Sequence, residues 1–168
     1  MIGPPGAGKS TIAARLGQLL EIEVFHLDEL YWQRGALLPR DEWNAVERDL
    51  IARESWIIDG NYSQTLAARV EAADAAVFLD LPTSVCLLRF IRRRLAYPKG
   101  GVPGMTADKR PYVDWTVLRQ IRSFRTDHRR AYLRILAEKR AGRRIVILRT
   151  ARQVRKFMAD MQQTSVRR

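Results

Sequence analysis

Short apolar runs alternate with longer stretches of helical periodicity along the chain. The runs are IEVF (22–25), WIID (56–59), AAVFLD (75–80) and RIVILR (144–149). Each is apolar throughout and gives way at once to turn or cap residues, as buried strands do. Helical patterns occupy 9–20, 40–53, 64–72, 83–97, 114–140 and 151–161. Pro39 followed by Asp41 and Glu42 marks a helix start, with acids near the positive end of the dipole. This alternation predicts an α/β fold built on a parallel sheet. No repeat or low-complexity linker divides the chain, so residues 1–168 read as one domain. The stretch YPKGGVPGMTADKRPY (97–112) reads as one excursion, a mobile lid over about 98–112.

Length and composition agree with that picture. At 168 residues roughly 70% of the unfolded surface can be buried, enough for a sheet covered on both faces. The apolar fraction of 46% is that of an ordinary globule. No stretch approaches the ~20 apolar residues of a membrane span, and the first residues lack a charged-then-apolar signal pattern. One cysteine, Cys86, excludes an intrachain disulfide and fits a cytoplasmic setting. The net charge of +12 stands out; it comes from 25 Arg and only 5 Lys. Such a balance attracts polyanions, either nucleotide phosphates or nucleic acid, or else reflects solvated helix faces.

The chemistry is concentrated at the start. Gly3, Pro4, Pro5, Gly6, Ala7, Gly8, Lys9 and Ser10, followed by Thr11, fit the phosphate-binding pattern G-x-x-x-x-G-K-[ST]. Glycines let backbone N–H groups turn onto phosphate oxygens, Lys9 reaches the β- and γ-phosphates, and the Ser10 hydroxyl binds Mg²⁺. The helix that follows points its N-terminus at the anion. Only Met1 and Ile2 precede this loop, whereas a mean strand has ~5–6 residues. The expectation is a first strand truncated at the N-terminus.

Three further segments carry candidate residues. In WIIDGNY, Asp59 ends an apolar run; it either holds Mg²⁺ through water or caps the turn. In FLDLPTSVCLLRFIRRR, Asp80 and Pro82 end a strand and start a helix, and Arg89 and Arg93 share one helix face. Taken alone they read as a solvated basic stripe. In 115–136 Ile121, Phe124, His128 and Ile135 fall on one side of a helical wheel, with His128 read as a packed histidine. Arg119, Arg122, Arg125 and Arg129 cluster apart, facing phosphate, DNA or solvent.

Together these segments resemble the adenylate-kinase-related P-loop kinases. The fuller pattern of GPPGAGKST, VFHLDELYW, WIIDGNY, VFLDLP and LRT before a last helix resembles the DNA topology modulation proteins, over nearly the whole chain. The resemblance implies a three-layer P-loop fold with a five-stranded parallel sheet in the order 2-3-1-4-5. It implies ATP and Mg²⁺ as cofactors, Arg89 stacked on adenine, Arg93 on phosphate, Asp59 on Mg²⁺, and Thr150 and Arg152 in the adenine-facing loop. Asp28 matches a carboxylate that orients an acceptor hydroxyl, or it is a helix cap. Tyr31 and Trp32 form an aromatic wall, or pack under a loop. His26 reads as a strand residue packed near the site. One departure stands out: adenylate kinases carry a monophosphate-gripping arginine where this chain has Ser63, with Arg34 or Arg40 as candidates to replace it. The expected function is phosphoryl transfer from ATP·Mg²⁺ to a small acceptor of nucleoside or nucleotide type, with Lys9, Asp28 and Arg93 catalytic. The alternative is an ATP-binding, nucleic-acid-associated protein with weak, non-specific affinity.

Overall fold

The computed structural model describes residues 1–32, 39–96 and 115–166. Along them run α1 (Lys9–Leu20), β1 (Val24–His26), α2 (Leu27–Trp32), α3 (Arg40–Ile51), β2 (Ile57–Asp59), α4 (Leu66–Ala72), β3 (Ala75–Leu79), α5 (Thr83–Ala96), α6 (Trp115–Asp127), α7 (Arg129–Glu138), β4 (Arg144–Leu148) and α8 (Ala151–Val166). The expected lid and Arg34 lie outside the described residues.

The strands form two parallel pairs. β1 pairs with β2, placing His26 opposite Asp59; β3 pairs with β4 from Ala75↔Arg144 to Leu79↔Leu148. Met1 and Ile2 hydrogen-bond to both pairs. Met1 N donates to Ile58 O at 2.7 Å, and Gly60 N–H donates to Met1 O at 3.2 Å. On the other side Ile2 N–H donates to Val77 O at 3.0 Å, and Leu79 N–H donates to Ile2 O at 2.9 Å. Where a five-stranded sheet is expected, four short strands appear in two pairs among the described residues. Two residues make only a single bridge, Ile2 with Phe78, and do not constitute a strand.

Side-chain alternation along β3 and β4 explains why both faces are covered. Val77, Leu79 and Leu148 turn to one side, against Ile12 and Leu16 of α1, Cys86 and Phe90 of α5, and Met158 of α8. Ala76 and Phe78 turn to the other, against Leu66 and Val70 of α4, Phe124 of α6, and Tyr132 and Leu136 of α7. A third cluster joins β1, β2 and α3 through Phe25, Ile58, Trp43 and Leu50.

Two helical expectations change. The pattern over 114–140 is two helices, broken around His128, the N-cap of α7. The single Thr126 hydroxyl proton has two acceptors in reach, Ser123 O at 2.8 Å and Asp127 Oδ1 at 2.7 Å; such local bonds compete with the helix ladder. The break resets the wheel, so Tyr132 and Leu136 join the buried face. His128 is exposed along one side yet lies against Phe124 and Tyr132, with ring centroids 5.8 and 6.0 Å away. The second change is α2, which immediately follows β1 and carries Asp28 and Glu29 in its first turn.

Candidate active site

Between Ile2 and α1 the chain forms the expected loop. Gly6 has φ +78°, and a Cβ there would stand 2.5 Å from Cys86 O; at Gly3, φ +144°, it would stand 2.6 Å from Leu79 O. Only glycine tolerates both the backbone and the approach. Pro4 and Ala7 are buried, Pro5 and Gly8 partly so. Ala7 N–H donates to Pro4 O at 3.1 Å, and Gly3 N–H donates to Asn61 Oδ1 at 3.0 Å. Gly8 is the N-cap of α1 and supplies no side-chain cap to its first turn, at the end of the helix that favours an anion. Lys9 Nζ donates to Pro4 O at 3.4 Å, folded back over the loop, and Thr11 is exposed.

Ser10 and Asp59 meet. Ser10 Oγ donates to Asp59 Oδ2 at 2.6 Å, and His26 Nδ1 lies 3.1 Å from the same oxygen. Asp59 is buried, which opposes its ionisation, but the hydrogen bonds from His26 and Ser10 and the charge of Lys9 outweigh burial and hold its carboxyl below the ordinary value. The Asp59 bond, partly offset by burial, pushes the His26 imidazole upward; the acids Glu29 and Asp28 add to the rise. Asp59 Oδ1 is buried with no hydrogen-bond partner. A hydroxyl and a spare carboxylate oxygen beside a phosphate-shaped loop are the hard-oxygen donors that suit Mg²⁺. No cluster of three or more His, Cys, Asp or Glu suited to a metal occurs among the described residues.

Around the loop, Arg89 Nη1 donates to Ala7 O at 2.7 Å, so this arginine lies on the loop itself. Arg93, one turn further along α5, is half-buried. Asp80 is gripped in two-pronged fashion by Arg129, at 2.7 and 2.8 Å, and has Arg149 3.6 Å away. The grip holds the Arg129 guanidinium above its ordinary value. Of the arginine stripe, Arg129 thus turns inward, while Arg119, Arg122 and Arg125 are exposed. Thr150 caps α8: its Oγ1 accepts from Gln153 N–H at 3.1 Å, and Gln153 Oε1 accepts from Thr150 N–H at 3.1 Å. Arg152 is exposed on the first turn of α8.

Asp28, exposed at the start of α2, lies beside Tyr62, a member of an aromatic trio. Tyr31, Trp43 and Tyr62 lie 4.9 to 5.3 Å apart, centroid to centroid. Burial and the neighbouring Asp28 raise the Tyr62 phenol. Arg69, buried on α4, donates to Gly60 O at 3.1 Å and Tyr62 O at 2.7 Å; its Nε lies 3.4 Å from Glu47 Oε1. Ser63 is exposed in this turn, and Arg40 is exposed at the start of α3.

The sequence reading missed His26 as the partner of Asp59, Asn61 as the brace of Gly3, and the buried Glu47–Arg69 pair. The equal positions of His26 and Asp59 at two strand ends were the available signal for the first.

No family model matches the chain. A shikimate kinase from Rhodococcus erythropolis is 52% identical over 40 residues, 23% of this chain and 24% of that protein. The match thus spans about a quarter of that relative's length. A gluconokinase structure from Sinorhizobium meliloti aligns over 99% of this chain and 89% of that one, with a TM-score of 0.53 and 18% identity. A deoxyadenosine kinase structure from M. mycoides with bound dCTP aligns over 96% and 97%, at 12% identity and a TM-score of 0.45, too loose to argue from. The gluconokinase likeness is one of fold: the chain shares the α/β fold of that structure.

Proposed function

We propose that this chain is an ATP-dependent kinase that transfers the γ-phosphoryl group to a small molecule, of nucleoside or nucleotide type. The observation that carries the reading is the 2.6 Å bond between Ser10 and Asp59 beside an open phosphate loop, with Asp59 Oδ1 left spare. The 40-residue likeness to a shikimate kinase and the overall likeness to a gluconokinase support it.

In this mechanism the loop N–H groups and Lys9 hold the triphosphate. Ser10 and Asp59 would hold Mg²⁺, which when bound neutralises charge on the phosphates. The acceptor oxygen bonds to the γ-phosphorus as the bond to the β–γ bridging oxygen breaks, and ADP leaves. Asp28 takes the hydroxyl proton. Arg93 offsets charge on the transferred group. Arg89, Thr150 and Arg152 line the adenine side. A lid over 98–112 within a single domain excludes water. The sheet order 2-3-1-4-5 counts residues 1–2 as the first strand, and the bonds of Met1 and Ile2 to both pairs support it. Likeness to the DNA topology modulation proteins and a cytoplasmic setting belong to the same proposal. No described helix is long and apolar enough to cross a membrane.

A nucleic-acid role is the weaker reading. Arg53, Arg69, Arg129 and Arg134 are engaged by Glu23, Glu47, Asp80 and Glu138, on separate parts of the chain.

The acceptor side tests the reading. Ser63 in place of a monophosphate-gripping arginine, with Asp28 at hand, favours a hydroxyl acceptor over AMP. Asp28→Asn should lower turnover roughly 10²- to 10⁴-fold on the best acceptor, the range of a general base, with ATP affinity little changed. Brisk AMP phosphorylation that survives Asp28→Asn would overturn this assignment.

A further inference from the structure

The two oxygens of Asp59 are treated unequally. Oδ2 receives Ser10 Oγ at 2.6 Å and His26 Nδ1 at 3.1 Å, whereas Oδ1 is buried without a partner. The groups that converge come from three places: the first turn of α1, the end of β1 and the end of β2. His26 and Asp59 are register partners, so the parallel pairing itself sets their approach. An ionised carboxylate only accepts, so His26 Nδ1 is the donor.

His26 is not there for packing. Its neighbours Phe25 and Leu27 supply the buried apolar contacts, at 8% and 0% exposure, while the His26 side chain stays 18% exposed and faces Asp59. The terminal torsion of an aspartate is broad, so one hydrogen bond leaves the carboxylate free to turn. Ser10 is the donor whose oxygen is also wanted by the metal. His26 is the donor with no such second task.

We propose that His26 is a positioning residue of the metal–nucleotide site: its Nδ1–H anchors Asp59 through Oδ2 and so keeps Oδ1 presented for the ion. This rests on the reading of Ser10 and Asp59 as the Mg²⁺ residues. His26 touches neither nucleotide nor acceptor in this role; it acts through Asp59, as outer partners of metal ligands do.

The test uses Mn²⁺ as a spectroscopic probe, with a non-hydrolysable ATP analogue at saturation. Free Mn²⁺ is read by electron paramagnetic resonance for native protein, His26→Ala and His26→Asn. The Asn amide nitrogen falls where Nδ1 was. His26→Ala should lose about 10- to 100-fold in Mn²⁺ affinity, the range for removing such a partner, and His26→Asn should recover most of it. Analogue binding without metal should be unchanged in both. If His26→Ala does not fold by thermal melt, His26→Gln, which carries the amide one carbon too far, takes its place with the same expected loss. Native-like Mn²⁺ affinity in His26→Ala would overturn the proposal. So would an Asn variant as weak as Ala, or an equal loss of metal-free analogue binding, which marks a merely structural role. Native protein that binds the analogue but no Mn²⁺ would overturn both this assignment and the metal reading beneath it.

Discussion

Replacing Arg69 with Met removes the strut behind the Gly60–Tyr62 turn. The guanidinium is 5% exposed and holds two backbone carbonyls, Gly60 O at 3.1 Å and Tyr62 O at 2.7 Å; its Nε makes an ion-pair contact with Glu47 at 3.4 Å. A hydrogen bond from a charged group contributes about 1.5–3 kcal/mol, so the two carbonyl bonds alone suggest roughly 3–6 kcal/mol. Breaking a buried ion pair from one side costs about 3–5 kcal/mol, and these figures overlap rather than add. The expected loss in urea unfolding at neutral pH is therefore about 3–5 kcal/mol. Its pH dependence follows from Glu47, whose carboxyl is pushed above its ordinary 4.5 chiefly by burial, against the opposing charge of Arg69. A carboxyl raised in the folded state contributes stability that is present below the unfolded value and lost as pH rises through the folded one. Without Arg69 the Glu47 value rises further. The deficit of Arg69→Met should thus be smallest near the unfolded value of 4.5 and grow toward neutrality. Adding Glu47→Leu should return part of the loss, since no bare carboxylate is left. A neutral-pH loss under about 1 kcal/mol would refute the reasoning, because that is the scale of an exposed ion pair. A deficit independent of pH would refute the role given to Glu47.

Gly6→Ala should destabilise by at least about 1–2 kcal/mol from the left-handed backbone alone, with the clash at Cys86 O adding to it and displacing α5 from the loop; an unchanged melting temperature would contradict this. Arg93→Ala should lower turnover by about 10³-fold, the scale of a transition-state arginine, with the melting temperature kept. Near-native turnover would remove Arg93 from the mechanism.

The loop between Ile2 and α1 could be read from sequence because its glycine spacing is that of a backbone turned onto an anion. Gly3 and Gly8 are the glycines of that spacing, and Lys9 and Ser10 follow at the start of α1. β3 and β4 were equally readable: a strand covered on both faces must be apolar at every position, and AAVFL and RIVIL nearly are. The expectations failed where the decisive interaction links distant segments. Nothing in the local sequence sets Glu47 or Arg69 apart; the fold brings the two buried side chains together from α3 and α4, with Arg69 Nε 3.4 Å from Glu47 Oε1. His26 and Asp59 are 33 residues apart and meet through a strand register that no local pattern encodes. The break around His128 depends on side-chain bonds from Thr126, which a helical wheel does not register. Tyr31 packs against Trp43 and Tyr62, both from outside its own segment, while the Trp32 side chain lies outside the described residues.

The measurement that bears most directly on the central claim is ATP consumption by native protein and Lys9→Ala, screened against nucleosides, nucleotides and small hydroxyl-bearing metabolites, with Mg²⁺ present. The account predicts that at least one small acceptor raises consumption well above the acceptor-free rate, with one ADP formed per phosphorylated acceptor. It predicts that Lys9→Ala abolishes that turnover while leaving the fold intact by circular dichroism. Consumption that no acceptor stimulates, or turnover that survives Lys9→Ala, would contradict it.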